Sequence, residues 1–225
     1  LPFAAATAIA VGLGGAALSV SALTGADPGA DRLSERWRRG VNLTAFLPEA
    51  YAEEQARRAM LTARATGTEL VALTPTSYME SATSSEISAD PAKTPSDESL
   101  ISAAREAQAL GLKVVIKPHV DVLDGTFRGE IAPADRVAWF ADYGALIEHY
   151  AELASEVDAD GFVVGTELTS MAGDEEAWRD LIRRVRTRFP GDLTFAANWV
   201  EGAEQIAFWD DLDAIGIDAY MPLAP

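Results

Sequence analysis

The chain has no cysteine among its 225 residues, so neither a disulfide framework nor a thiolate metal site is open to it. Positive charge is also scarce: 18 Lys and Arg stand against 35 Asp and Glu, for a formal net charge of −17. Such a surface repels phosphate backbones and the anionic face of a bilayer, which argues against a nucleic-acid partner. A neutral polysaccharide or oligosaccharide needs no electrostatic steering and is compatible with that charge. There are only 2 histidines, His119 and His149, and neither stands in an H-E-x-x-H or related ligand run, so no metal is expected. No G-x-G-x-x-G turn follows the first predicted strand, which counts against a dinucleotide fold, and no cofactor is expected.

What is present is an ordinary globular composition, 48% hydrophobic and 24% charged, in a length that one sizeable core can organise. Residues 1–26 carry no charge and are long enough to span a bilayer. Three readings compete for them: a signal peptide, an uncleaved membrane anchor, or a buried helix of the domain. Val20-Ser21-Ala22 offers a small-residue cleavage pattern, while glycines 12, 14 and 15 weaken a helix. The first two readings put the domain outside the cytoplasm, secreted or anchored to the outer face of the membrane. Residues 27–38, with Pro28 and Gly29, read as a linker, and the domain proper runs from 39 to 225.

From Arg39 onward, short apolar runs alternate with longer helix-patterned segments, the signature of βα units feeding a parallel sheet. Strands are expected at Gly40–Phe46, Glu69–Pro75, Lys113–Pro118, Gly161–Gly165, Leu193–Ala197 and Ala214–Asp218. Helices are expected near 50–65, 97–110, 134–156, 175–189 and 202–209. Ser96 and Ser99 open the second helix, and Gly67 and Gly111 stand where helices should end. The expected fold is therefore α/β, a TIM (β/α)8 barrel rather than a doubly wound sheet. It is incomplete, with about six of eight βα units. Leu rather than Met at position 1, and an end just after strand six, read as a piece of a longer protein. An open edge left by two missing strands predicts marginal stability.

The chemically interesting residues fall at the carboxyl ends of these strands, the rim where barrels build active sites. Glu167, in Phe162-Val163-Val164-Gly165-Thr166-Glu167-Leu168, is delivered to the mouth by an apolar strand and is the candidate general acid. The plainer alternative is a Glu that caps a helix or pairs with an Arg. Asp218 could supply a second carboxylate or act only as a structural acceptor, with Asp121 and Asp124 as alternatives. His119 could donate to a substrate hydroxyl or to a catalytic carboxylate, while His149 sits mid-helix. Asn198 and Trp199 follow strand five, and Trp199, Tyr220 and Tyr78 could offer flat faces to sugar rings. Trp139, Trp178 and Trp209 hold helical positions suited to packing. The Ser-, Thr- and Pro-rich segment from Thr76 to Asp97 is expected to shape a cleft.

Six runs, taken in order, resemble glycoside hydrolase family 113: Arg39-Gly40-Val41-Asn42, the stretch from Thr94 to Leu100, that from Gly111 to Asp121, Gly165-Thr166-Glu167-Leu168, Ala196-Ala197-Asn198-Trp199, and that from Phe208 to Tyr220. The resemblance covers about Arg39 to Pro225 and implies membership of a clan of retaining (β/α)8 glycosidases whose characterised members act as endo-β-1,4-mannanases. It implies that Glu167 is the acid/base, and that Asp218 and Tyr220 neighbour the nucleophile. That nucleophile is a Glu at the end of strand seven, in a Thr-Glu-Ile-Gly-like run that this sequence lacks. Thr166 stands where much of the wider clan has Asn.

The expected function is a retaining glycoside hydrolase on β-mannan or a related β-glycan, with the fragment as given inactive. The alternatives are a non-catalytic, surface-anchored glycan-binding barrel or an inactive fragment, with a transglycosylase as a third.

Overall fold

The structure is a computed structural model that describes residues 7–9, 33 and 37–220. Most of the apolar segment 1–26 and of the stretch 27–38 therefore lies outside the described residues. Among the described residues, no helix is long and apolar enough to cross a membrane.

The strands are β1 (Thr7–Ile9), β2 (Gly40–Thr44), β3 (Leu70–Thr74), β4 (Thr76–Met79), β5 (Lys113–Ile116), β6 (His119–Val122), β7 (Gly161–Thr166), β8 (Asp192–Asn198) and β9 (Ala214–Asp218). The helices are α1 (Glu54–Ala65), α2 (Asp97–Ala109), α3 (Arg136–Glu156), α4 (Glu175–Arg186) and α5 (Trp199–Glu204). The six expected strands all form, within two residues of their predicted ends. Their spatial order is β2-β3-β5-β7-β8-β9, parallel throughout, with β1 added beside β9. Chain order and spatial order coincide with no reversal, which is how a barrel winds; a doubly wound sheet reverses at a switch point.

Two strands run on beyond their prolines. β3 continues into β4 after Pro75, and β5 into β6 after Lys117-Pro118. Proline has no N–H to give to a ladder, so the sheet breaks at these points. The amides of Lys117 and His119 still donate to Leu73 and Pro75 carbonyls at 2.8 Å each, carrying the register across the gap. β4 and β6 then pair in parallel, Tyr78 opposite Asp121, as a two-stranded extension above the rim. Sequence analysis treated both stretches as loop.

The helices form for ordinary reasons. The Ser96 side chain accepts from the Ser99 amide at 3.2 Å and caps α2, whose buried stripe is Leu100, Ala103, Ala104 and Ala107. In α4 the stripe is Trp178, Leu181, Ile182 and Val185. Gly67 (φ 89°) and Gly111 (φ 74°) turn the chain left-handed after α1 and α2. The helix expected near 202–209 is instead the shorter α5 followed by a 3-10 turn at Trp209–Asp211. Its last amides, Gln205 and Ile206, reach back three residues to Gly202 and Ala203, which closes the α-helical ladder early.

The main core lies between sheet and helices. Trp139 stacks on Tyr143 with centroids 4.6 Å apart, and Trp178 packs edge-on to Phe195 at 5.2 Å and flat against Phe208 at 5.5 Å. A Cβ on Gly165 would come within 2.4 Å of Phe195 and 2.9 Å of Trp178, so only glycine fits two residues before Glu167. The opposite face of the sheet is lined by a second apolar cluster of Leu70, Ala72, Val115, Val163 and Ala196. Leu33, from the stretch read as a linker, is buried with them. On the same face the Lys117 ammonium bonds the Asp218 carboxylate at 2.8 and 2.9 Å, although two strands lie between β5 and β9. Three strand spacings in a flat sheet come to about 14 Å, so the sheet must curl to bring these groups together. At the far edge β2 pairs only with β3 among the described residues.

Candidate active site

Glu167 follows the last residue of β7 and adopts φ 56°, a left-handed conformation that costs a non-glycine residue about 1–2 kcal/mol. Its amide donates to the Ala196 carbonyl of β8 at 2.7 Å, which holds the turn in place. The side chain is buried, with 7% of its surface exposed. A second aromatic-bearing turn repeats the device one strand on: Trp199, after β8, has φ 58°. Strain of this kind persists where the surrounding fold over-determines a position, and it concentrates at working sites.

The Arg128 guanidinium, carried by a 3-10 turn (Arg128–Glu130) after β6, donates to Glu167 Oε2 at 2.8 Å. Its other terminal nitrogen donates to Asp121 Oδ1, and its Nε to the Val120 carbonyl at 3.1 Å. The pairing with an arginine weighed for Glu167 from sequence is therefore present, and its partner is itself a partly buried residue shared with Asp121. The turn is pressed against the loop it serves. A Cβ on Gly129 would lie 3.1 Å from the Glu167 carbonyl, and Ser170 Oγ donates to the Ile131 carbonyl.

Tyr220, largely exposed, lies close enough to Glu167 and Asp218 for their charges to act on its phenol. Desolvation first, then the negative charges of Glu167 and Asp218, push this phenol up to about 12, so it remains a neutral donor at any working pH. Its ring meets Trp199 with centroids 6.1 Å apart at 63°. Asn198 pairs in register with Asp218, and Asp218 is held by Lys117. The rim residues Glu167, Asp121, Trp199, Tyr220, Asn198 and Asp218 thus converge.

His119 sits at the start of β6 with its Nε2 buried and no hydrogen-bond partner. Burial, then the charges of Arg128 and Lys117, drive its imidazole down to about 2, so the ring stays neutral. Tyr78 is buried on β4 beside Asp121, with the Lys93 ammonium 5.0 Å above its ring. Desolvation, then Asp121 and Asp90, raise its phenol. Asp124 stays apart: its carboxylate accepts from the Thr126 amide at 2.8 Å in an exposed turn at Gly125 (φ 88°). His149 on α3 contacts Asp97 at 3.0 Å on the outer surface. Among the described residues, no three His, Asp or Glu side chains are grouped to hold a metal ion.

Two residues of this constellation were not singled out from sequence. Lys117 lies in a quoted run, yet nothing local ties it to Asp218. Arg128 had a usable signal, being the sole basic residue between Lys117 and Arg136 in a loop that opens onto the rim.

The model of Glycoside Hydrolase Family 113 matches residues 46–225. The chain belongs to this family. Family 113 structures align closely with it. A β-mannanase from Alicyclobacillus acidocaldarius, solved in complex with ManMIm, is 34% identical over 82% of this chain and 62% of its own, with a TM-score of 0.78. A second family 113 β-1,4-mannanase is 30% identical over 80% of this chain and 62% of its own, with a TM-score of 0.75. An exo-β-1,4-mannosidase from an Opitutaceae bacterium, at 14% identity over 87% of this chain and 40% of its own, shares the fold with a TM-score of 0.57. No curated protein sequence matches the chain. The chain spans about 62% of the length of the family 113 structures it matches.

Proposed function

We propose that the protein carrying this chain is a retaining glycoside hydrolase that cleaves β-mannan or a related β-glycan outside the cytoplasm. The observation that carries the reading is Glu167: a buried carboxyl held at the rim in a strained turn, bonded by Arg128 and within electrostatic reach of the neutral Tyr220 phenol. Family membership and the mannanase names of its structural neighbours support the substrate class.

In this mechanism the Glu167 carboxyl gives its proton to the glycosidic oxygen as the bond to the leaving sugar breaks. A second carboxylate, about 5–5.5 Å away in a retaining enzyme, attacks the anomeric carbon. Both oxygens of Asp218 accept from Lys117 and one oxygen of Asp121 accepts from Arg128, which supports their roles as positioning or binding groups rather than as the attacking group. The nucleophile is assigned to a Glu on the strand that would follow β9, as the family resemblance implies. Glu167, now a carboxylate, then takes a proton from the water that releases the sugar.

Trp199 and Tyr220 would stack on sugar rings, while Asn198, His119, Asp121 and Tyr78 would line the cleft. His119, neutral and unpartnered, suits a hydroxyl rather than an anion. Glu167→Gln in the full natural protein is expected to abolish release of reducing ends from β-mannan. A normal rate in that variant would end the assignment.

A further inference from the structure

Among the described residues, the groups facing Glu167 are few and their charges are unequal. Arg128 comes from the turn after β6, Asp121 and His119 from β6, Tyr220 from the segment after β9, and Lys117 with Asp218 from below. His119 and Tyr220 are neutral over the working range, for the reasons already given. Lys117 and Asp218 neutralise one another in a closed buried pair, with 5% and 9% of their side chains exposed. Among the described residues, the unbalanced charges nearest Glu167 are therefore two of opposite sign, one cation at 2.8 Å and the carboxylate that shares it, and the nucleophile carboxylate of the full protein adds a charge common to every variant compared below.

We propose that Arg128 and Asp121 act as a charge-balancing pair that sets the pH range over which Glu167 works, Arg128 favouring its carboxylate form and Asp121 offsetting that pull. This rests on the assignment of Glu167 as acid/base. The two steps of a retaining reaction make opposite demands on one carboxyl, which must first lose a proton and then accept one. A bare arginine at hydrogen-bonding distance would hold the group ionised and penalise the first step. An arginine shared with a second carboxylate exerts less of that pull while still orienting the side chain. The geometry is built for such a role. Nε is tied to the Val120 carbonyl, Gly129 lets the turn press against the Glu167 backbone, and Ser170 ties the two turns together. Arg128 spends three of its five N–H donors on protein groups, one from each nitrogen, which fixes its orientation and marks it as a positioning residue.

The test uses the full natural protein, with kcat and KM on β-mannan followed from roughly pH 4 to 10 in Arg128→Gln, Arg128→Lys, Asp121→Asn and Glu167→Gln. Arg128→Gln should lower kcat at the optimum about tenfold, change KM little, and move the alkaline limb upward by about one pH unit, since a positive charge at this range shifts a carboxyl by about that much. Asp121→Asn should move the same limb downward, because Arg128 then acts on Glu167 alone. Arg128→Lys keeps the charge and should leave the limb close to that of the natural protein.

The opposite signs are the decisive feature, because a merely structural role would lower activity without moving the limb in two directions. If Arg128→Gln fails to fold, the downward shift in Asp121→Asn still supports the pairing, and an unmoved limb there overturns it. Limbs that stay put, or move together, overturn it as well. Glu167→Gln separates the two claims: if it abolishes activity while the limbs do not move, the charge-balancing role alone is wrong. If it leaves activity intact, the assignment of Glu167 fails and this proposal falls with it.

Discussion

Two of the places where arginine meets carboxylate in this molecule contrast in burial rather than in chemistry. On the outer helices, Arg184 and Arg188 of the α4 region both reach Glu148 on α3, and Arg188 also meets Glu152 at 3.1 Å. These arginines are 39% and 32% exposed and Glu152 is 64% exposed, so water screens part of what they gain even though the shared Glu148 is only 14% exposed. At the rim, Arg128 is 15% exposed and Glu167 7%, while the Lys117 and Asp218 pair beneath is more enclosed still. The first set decorates a packing interface. The second cannot lose one partner without stranding a charge, which makes its geometry far more demanding.

Breaking the most buried pair should have the largest effect on stability. Asp218→Asn or Lys117→Met alone is expected to cost about 3–5 kcal/mol, because the survivor is left charged and without its partner. Replacing both together with apolar residues should recover much of that loss; chemical unfolding of the three variants decides it. If the double replacement is as damaging as either single one, the pair is not acting as a unit.

The packing that delivers Glu167 to the rim can be broken next. Gly165→Ala should cost about 1–3 kcal/mol by driving a methyl into Phe195 and Trp178, and it should lower activity more than an equally destabilising change on the outer helices. Unfolding and mannan hydrolysis measured side by side test both halves of that statement.

His119 sharpens the comparison by pH. Its folded value, about 2, lies below the ordinary 6.5, so between these values the unfolded chain binds a proton that the folded chain refuses. The stability that follows is complete above about pH 6.5 and is lost progressively as pH falls towards 2. His119→Gln should therefore flatten the fall in melting temperature between roughly pH 7 and 5. An unchanged slope would show that other groups dominate acid unfolding.

The smallest effect belongs to the exposed network. Arg188→Ala should cost at most about 1 kcal/mol, diminishing further in high salt, with kcat on mannan unaffected. A larger loss would mean that the shared carboxylate of Glu148 couples the outer arginines more tightly than their exposure implies.

Much of this architecture was legible in the sequence because it rests on local signals. Six apolar runs announced six strands, of which the edge strand β2 is largely exposed, and Ser96, Gly67 and Gly111 marked helix ends through capping and left-handed turns that need only neighbouring residues. Glu167 was found because a carboxyl at the end of an apolar strand is conspicuous. The extension strands β4 and β6 were missed because Pro75 and Pro118 read as strand ends, whereas the ladder resumes one residue later. Trp199 was recognised as a rim aromatic, but its left-handed backbone was not, since no residue-type rule asks for φ 58° at tryptophan.

By itself the sequence determined the succession of βα units, the parallel sense of the sheet, and which residues stand at strand ends. Those features follow from short apolar runs alternating with segments of helical, three-to-four-residue period. Only the tertiary structure decided which charges are paired and which are buried. Lys117 finds Asp218 101 residues away, and Arg128 finds Glu167 39 residues away, because the sheet curls and brings their strand ends to one rim. No local pattern encodes such a meeting, since it depends on the summed curvature of every strand between.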